Sequence, residues 1–191
     1  MTKNRFNSKK VDYFEHELSL IFDDRIREFV SLCLVACPDY VFEDCPSSSG
    51  GKYHPLDELG SDGTLIHTKK VFTLAFDMVK ALSCENNRDI VLGACIIHDL
   101  VKQGFEKSGY TVSNHPDLAV TLIKDTQRAT QILTDNQLEL LCNCVGYHYG
   151  PWGSGKWLKP IMDYSKEELT VFLCDYVVSK RFIHTDYKRR I

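Results

Sequence analysis

Apolar residues recur at spacings of three and four along most of the chain, which is the periodicity of amphipathic α-helices. The first helix is predicted from about Val11 to Val35, with a break near Asp23–Asp24. Pro38 ends it, because proline lacks the N–H group that a helix interior needs. One face of this helix carries the apolar residues Phe14, Leu18, Ile21 and Phe22.

Polar loops separate the later periodic segments. Stretches rich in Gly, Ser and Pro at residues 44–63 and 150–160 are predicted to be loops. Asn114 and Ser165 are predicted N-caps, because short polar side chains accept hydrogen bonds from the first helical turn. The predicted helices run from about Thr64 to Leu82, from Arg88 to Lys102, onward from His115, from Asp135 to His148, and onward from Ser165.

These elements predict an all-α protein built as a single-domain helical bundle. A short β-hairpin is expected near Tyr110–Val112. We expect residues 1–45 to form an N-terminal helical segment that packs on one globular unit made of residues 46–191. No internal repeat and no linker between two domains is recognisable.

Composition places the chain among ordinary globular proteins. It has 191 residues, of which 43% are hydrophobic and 26% charged, and its formal net charge is −3. This charge gives no overall attraction to nucleic acids or anionic membranes. No apolar run approaches the roughly 20 residues of a membrane span, and the polar first residues do not resemble a signal peptide. A cytoplasmic location is therefore expected.

The eight cysteines are interpreted as buried thiols rather than disulfides or zinc ligands. Cys33, Cys95, Cys142 and Cys174 lie in apolar runs, where cysteine behaves as a small hydrophobe. Cys142 and Cys144 are too close in sequence for the usual loop between structural zinc ligands.

The dipeptide His98-Asp99 stands out because it lies in an otherwise wholly apolar segment, residues 90–101. An unpaired carboxylate and imidazole in a core-seeking helix would be destabilising by several kcal/mol. A bound metal cation would compensate them. The sequence therefore predicts a metal site that contains His98 and Asp99.

Further candidate ligands lie in separate segments. His67 follows the start of a helix, and Asp175 interrupts the apolar run 171–178, where a solvated charge is not expected. His115 and His148 lie at the ends of two other predicted helices. Imidazole and carboxylate groups bind divalent transition metals such as Mn, Fe, Zn, Co or Ni, and helices of a bundle can bring them together.

His67, His98-Asp99 and Asp175 resemble the signature of the HD-domain metal-dependent phosphohydrolases, which have a histidine, a His-Asp pair and a distal aspartate. The resemblance covers roughly residues 50–185. It extends to Asn114-His115-Pro116 and His148-Tyr149-Gly150, which are similar to the extra histidine segments of the binuclear, phosphodiesterase-like HD subgroups. Val101 replaces the glycine of the His-Asp-Ile-Gly-Lys sequence common in those subgroups, which weakens an assignment to their cyclic-dinucleotide branch.

The resemblance implies two divalent ions bridged by Asp99 and by a hydroxide that attacks the phosphate. One ion would be bound by His67, His98 and Asp175, and the other by His115 and His148. Lys102 is then a catalytic candidate that reaches a non-bridging phosphate oxygen. Two cations suit this chemistry because they lower the pKa of a shared water and neutralise phosphate charge.

Other polar residues are candidates for contact with the substrate. Lys52 and His54 follow a run of serines and glycines, and Lys180 and Arg181 follow Asp175 on the last helix. Each has the alternative interpretation of an ordinary surface residue. Trp152 and Trp157 either stack on a base or attach a long loop to the domain, and the second interpretation is favoured. The remaining basic residues are expected to be ordinary surface or tail residues: His16, His184 and Lys188–Arg190.

The sequence predicts a metal-dependent phosphohydrolase of the phosphodiesterase type. Its substrate would be a nucleotide, a cyclic nucleotide or a short oligonucleotide, and the protein is expected to be a homodimer. Two alternatives stay open. One is a phosphohydrolase for (deoxy)nucleoside mono- or triphosphates, and the other is a module that binds nucleotides without turnover.

Overall fold

A central apolar helix organises the fold. The computed structural model describes residues 9–48, 50–153 and 155–182, and in these ranges it contains helices, turns and loops but no strand. The α-helices in chain order are α1 (Lys9–Asp12), α2 (Glu15–Ser19), α3 (Asp24–Ala36), α4 (Tyr40–Glu43), α5 (Gly63–Ala81), α6 (Arg88–Ile97), α7 (His115–Thr130), α8 (Asp135–Gly146) and α9 (Lys166–Val178).

Helix α6 is buried on every side between Ile90 and Ile97. Helices α3, α5, α8 and α9 contact it, and α5 also packs along α9 while α7 packs along α8. A helix that other helices surround is apolar all round, which explains the unbroken hydrophobic run in its sequence. The predicted all-α helical bundle is confirmed.

The predicted first helix is divided into α1, α2 and α3, and the break near Asp23–Asp24 is confirmed. The Asp23 side chain caps α3 by accepting hydrogen bonds from the N–H groups of Arg25 and Ile26. Asp89 accepts hydrogen bonds from the N–H groups of Phe22 and Asp23, at 2.8 and 2.6 Å, which attaches this break to the start of α6.

Two predicted features of the fold are wrong. Helix α6 ends at Ile97 rather than Lys102, and the chain continues in turns whose N–H groups bond three residues back, such as Leu100 to Ile97. The hairpin near Tyr110–Val112 is not formed in the described structure, because a single main-chain bond, from the Val112 N–H to the Lys102 carbonyl, joins residues 110–112 to an earlier segment. One such bond does not make a ladder.

The helix caps follow the predicted positions but not always the predicted chemistry. Ser165 and Glu168 form a complete capping box at the start of α9. Asn114 precedes α7 as predicted, although its side chain makes no capping hydrogen bond.

The N-terminal segment shares the hydrophobic core of the rest of the chain. Phe14, Phe29 and Val30 belong to the same buried cluster as the residues of α6. The predicted boundary at residue 45 and the predicted homodimer stay predictions. In the described ranges no helix has the length and apolar character needed to cross a bilayer.

The interpretation of the eight cysteines as buried thiols is confirmed, because all of them are free and buried. Burial raises the pKa of Cys142 to about 11 and that of Cys174 to about 12, so both stay protonated at neutral pH. His16 is exposed as expected, whereas His184 and Lys188–Arg190 lie outside the described residues.

Candidate metal centre

The six predicted metal ligands come from five helices or helix ends and lie together. His67 lies one turn into α5, His98 and Asp99 directly follow α6, and His115 begins α7. The other two ligands are His148, two residues after α8, and Asp175 in α9. The four histidines and Asp99 are almost completely buried, whereas the Asp175 side chain is 19% exposed.

Three of these residues form a first group, which we call group 1: His67, His98 and Asp175. The Nε2 atoms of His67 and His98 lie 2.9 and 3.9 Å from Asp175 Oδ1. Ligand atoms about 2.1 Å from a tetrahedral metal lie about 3.4 Å from one another, so these spacings surround a position of the right size for a cation.

The other three residues form group 2: Asp99, His115 and His148. The Nε2 atoms of His115 and His148 lie 3.4 and 3.8 Å from Asp99 Oδ1, and 3.0 Å from each other. Asp99 Oδ2 lies 3.5 Å from His98 Nε2, which belongs to group 1. The two oxygens of Asp99 therefore face different groups.

The backbone determines which nitrogen of each histidine is available. The Nδ1 atoms of His98, His115 and His148 lie 2.6–2.9 Å from the carbonyl oxygen three residues earlier. A carbonyl only accepts hydrogen bonds, so each Nδ1 carries the proton and donates it. The lone pair of the neutral ring is then on Nε2, which faces the site in all three residues.

The donor atoms fit a metal because two of them have no hydrogen-bond partner in the described structure. His98 Nε2 and Asp99 Oδ1 are buried and make no hydrogen bond within the described structure. Unpaired buried polar atoms are rare in folded proteins and are destabilising. Burial, followed by the nearby rings of His115 and His98, lowers the pKa of His148 to about 3, which keeps its imidazole neutral and available as a ligand.

The two aspartates are ionised. Burial alone would raise the pKa of Asp99, but the Lys102 ammonium and His98 hold it well below its usual range. The Lys102 Nζ atom donates to Asp99 Oδ2 at 2.5 Å and is itself buried. The hydrogen bond and charge of His67 similarly outweigh burial and hold the pKa of Asp175 below its usual range.

Glu58 is a part of the site that the sequence interpretation did not include. Its fully buried carboxylate accepts hydrogen bonds from His67 Nδ1 at 3.0 Å and from His54 Nδ1 at 2.8 Å, while Lys70 donates to its other oxygen at 2.9 Å. Burial opposes ionisation of Glu58, but these three partners lower its pKa far below the usual range. A lysine three residues after His67 in a buried helix was the available sequence signal, because a buried ammonium needs a carboxylate.

Close packing at Gly63 positions Glu58 beside the metal groups. A Cβ atom at Gly63 would lie 1.9 Å from the Glu58 carbonyl oxygen, so only glycine allows the turn at residues 56–58 to pack against the start of α5. The Ser47 N–H also donates to that carbonyl at 2.9 Å. The loop before α5 is thus held against His67.

His67 carries a proton where an ion would be bound. Burial lowers its pKa, but the hydrogen bonds to Asp175 and Glu58 outweigh this effect and raise the pKa to about 9. Both ring nitrogens therefore donate to carboxylates at neutral pH. An ion in group 1 would displace the Nε2 proton and leave the Nδ1–H bond to Glu58 intact.

The predicted substrate contacts lie in different places. A cavity of about 480 Å³ opens over Asp99, His115, His148 and Asp175, and His54, Lys102 and Lys180 also line it. Lys52 is exposed beside the Tyr53 ring and Arg181 is exposed after α9, and neither lines this cavity. The structure therefore brings three of the five predicted substrate contacts to the metal groups.

The two tryptophans have different environments. Trp157 is buried and its Nε1 donates to Asp117 at 2.6 Å, so it attaches the loop after α8 to α7, as favoured from sequence. Trp152 is 55% exposed and lines the cavity. The loop-attaching interpretation therefore describes Trp157 but not the position of Trp152.

Replacing Glu58 with Gln is expected to weaken Mn²⁺ binding about 10–100-fold, because the orienting carboxylate of a metal-binding histidine would be lost. Isothermal titration with Mn²⁺ measures this effect. Asp57→Asn is the matched control, since Asp57 contacts Lys70 at 2.8 Å but makes no hydrogen bond to His67. Equal Mn²⁺ affinities of the two variants would contradict an orienting role for Glu58.

One comparison with known proteins, the scan against family models, agrees with this geometry. The family model of the HD domain matches residues 64–179, and the chain belongs to the HD-domain family. This family is one of metal-dependent phosphohydrolases, as the resemblance implied. The matched range contains all six predicted ligands but excludes Glu58. Searches of curated proteins and of solved structures gave no match.

Proposed function

We propose that the protein is a metal-dependent phosphohydrolase that cleaves a phosphate ester of a nucleotide or nucleic acid, as a phosphodiesterase does. The observation that carries the proposal is the position of Asp99, whose two carboxylate oxygens each face a different group of histidines. A carboxylate in this position suits a bridge between two cations. The pair of groups, rather than a single one, favours a two-ion site.

Different residues of the chain would have different roles at such a site. Group 1 and group 2 would hold one divalent ion each, and two bound ions supply an activated water and offset the negative charge of the phosphate. Lys102 lines the cavity beside Asp99 and would donate to a phosphate oxygen through its ammonium group. Tyr149 packs edge-on against His115, with ring centroids 4.8 Å apart, and both side chains line the cavity, where they would contact a bound substrate.

The size and lining of the cavity support a nucleotide substrate. A volume of about 480 Å³ is typical of sites for small organic molecules. Its lining combines the ionised groups near Asp99 with the rings of Tyr53, Tyr149, Trp152 and Tyr176. A nucleotide also has a charged part, the phosphate, and an aromatic part, the base, so each part of the lining would meet a matching part of the substrate.

Hydrolysis of a nucleoside triphosphate is the second candidate function. Lys102 and Lys180 both line the cavity, and two ammonium groups suit a substrate with more than one phosphate. A protein that binds nucleotides without turnover is the contrasting candidate. The presence of all six predicted ligands in two groups favours catalysis over binding alone.

A substrate screen separates these candidates. Purified protein loaded with Mn²⁺ is incubated with cyclic nucleotides, cyclic dinucleotides, short oligonucleotides and nucleoside mono- and triphosphates. Chromatography detects the nucleotide products and a colorimetric assay detects free phosphate. We expect cleavage of a diester. Release of phosphate or pyrophosphate from monoesters or triphosphates alone would favour the second function, and tight binding without any product would contradict catalysis.

A further inference from the structure

Three exposed aromatic rings surround the opening of the cavity above the metal groups. Tyr53, Trp152 and Tyr176 line the cavity and are 59%, 55% and 37% exposed. They come from the loop before α5, the turn after α8 and helix α9. Together with Lys180 we call these residues the rim. Large rings grouped around a polar site indicate a ligand with an aromatic part.

Contacts between the three segments hold the rim in place. The rings of Trp152 and Tyr176 are nearly parallel, with an interplanar angle of 10° and centroids 5.6 Å apart. The Arg181 N–H donates to the Tyr53 carbonyl at 2.7 Å, which joins the end of α9 to the loop before α5. The rim is therefore a preformed surface, and its side chains should lose little conformational entropy when a ligand binds.

Gly150 brings the Trp152 turn close to α9. Its φ is +59°, and a Cβ atom at this position would lie 2.2 Å from the Phe172 ring. Only glycine satisfies both the left-handed backbone and this approach. The close packing places Trp152 over Tyr176, one turn beyond Phe172 on the same helix.

Lys180 adds a positive charge to the aromatic surface. Its Nζ atom lies 3.7 Å from the centroid of the Tyr176 ring and 5.8 and 5.9 Å from those of Tyr53 and Trp152. Cation–π contacts hold the ammonium at the rim. An anionic ligand with an aromatic group would meet both the rings and this charge.

We propose that the rim binds the base of a nucleotide by stacking on Trp152, while the phosphate of the same nucleotide lies beside Asp99 and Lys102. The inference rests on the proposed function, which places the phosphate beside the metal groups. It adds that the base of the substrate is recognised separately, at the rim. Stacking is tolerant of base identity, so purine and pyrimidine nucleotides should both bind.

Tryptophan fluorescence tests the rim without requiring turnover. The chain has two tryptophans, and Trp157 is buried, so a stacked base should quench the emission of the exposed Trp152. Protein loaded with Mn²⁺ is titrated with AMP and with ribose 5-phosphate, which lacks the base, while chromatography verifies that the ligands stay intact. We expect quenching by AMP alone, and no quenching of Trp152→Phe protein, whose remaining emission comes from Trp157.

Affinity measurements give a second readout that does not depend on emission. Trp152→Ala is expected to weaken AMP binding about 10–100-fold by titration calorimetry and to leave ribose 5-phosphate binding unchanged. Tyr13→Ala is the control, because Tyr13 is an exposed ring outside the cavity lining. Equal affinities of wild type and Trp152→Ala for AMP would overturn the proposal that the rim binds the base. Base-dependent binding without hydrolysis of any phosphate would support the rim and contradict the proposed phosphohydrolase.

Discussion

Asp99→Asn protein is expected to lose at least about 1,000-fold in kcat/KM on whichever phosphate ester the wild type cleaves. A metal pair supplies several kcal/mol of stabilisation to the charged transition state, and about 4 kcal/mol corresponds to this factor. Asparagine has nearly the same shape, but it is neutral and offers one oxygen instead of two. It therefore could not serve an ion in each group as the proposed role of the carboxylate requires.

Stability measurements show whether the loss of activity comes from a damaged site or from unfolding of the variant. Asparagine retains an oxygen for the Lys102 ammonium, which lies 2.5 Å from Asp99. Asp99→Ala removes the partner of this buried charge and is expected to be destabilising by about 3–5 kcal/mol. Thermal melting and kcat/KM are measured for both variants and for Asp125→Asn, an exposed control paired with Arg128. More than a tenth of wild-type activity in folded Asp99→Asn protein would contradict the bridging role.

Removal of the metal is expected to lower the melting temperature of the wild type by about 10–20 °C and to abolish turnover. Each ion present at 100 times its dissociation constant stabilises the folded state by about 2.7 kcal/mol. For a domain of this size each kcal/mol shifts the melting temperature by about 2–4 °C. The buried atoms His98 Nε2 and Asp99 Oδ1 lose their partner when the ion leaves, which is the structural reason for the effect.

Metal analysis of purified protein gives the stoichiometry. We expect two Mn²⁺ ions per chain in the wild type and one in His148→Ala, because group 2 would lose one of its two histidines while group 1 stays complete. His16→Ala is the control, since His16 is exposed on α2 and should leave both ions in place. A single ion in the wild type, or two in His148→Ala, would contradict the two-group site.

The residues of the two metal groups were predictable because each breaks the local pattern. Asp99 and Asp175 interrupt apolar segments of the sequence, and a buried charge in such a position is stable only with a partner. His115 and His148 lie at helix ends, where side chains of a bundle can converge. The resemblance to the HD domain then joined these separate positions into one signature, and the matched family confirms that membership.

The errors have a local physical cause. The apolar run after Ile97 continues to Val101, so periodicity alone predicts a longer α6. The buried segment keeps its hydrophobic residues while its backbone changes to tighter turns, because burial rather than helical geometry determines those residue types. The hairpin prediction rested on three residues, which is too short a segment to support a ladder.

The sequence by itself determined the helical class, the division of the first helix, the HD signature and the residue types available for metal binding. The helical class and the helix break depend on local pattern, the residue types of the ligands depend on the free-energy penalty of burying charge, and the HD signature was recognised by its resemblance to a known family. Only the tertiary structure decided that one oxygen of Asp99 faces group 1 and the other faces group 2. It also decided that Glu58 forms a hydrogen bond with His67 and that Trp152 rather than Trp157 lines the cavity. These arrangements depend on contacts between segments distant in sequence, and such contacts leave no periodic signal in the chain.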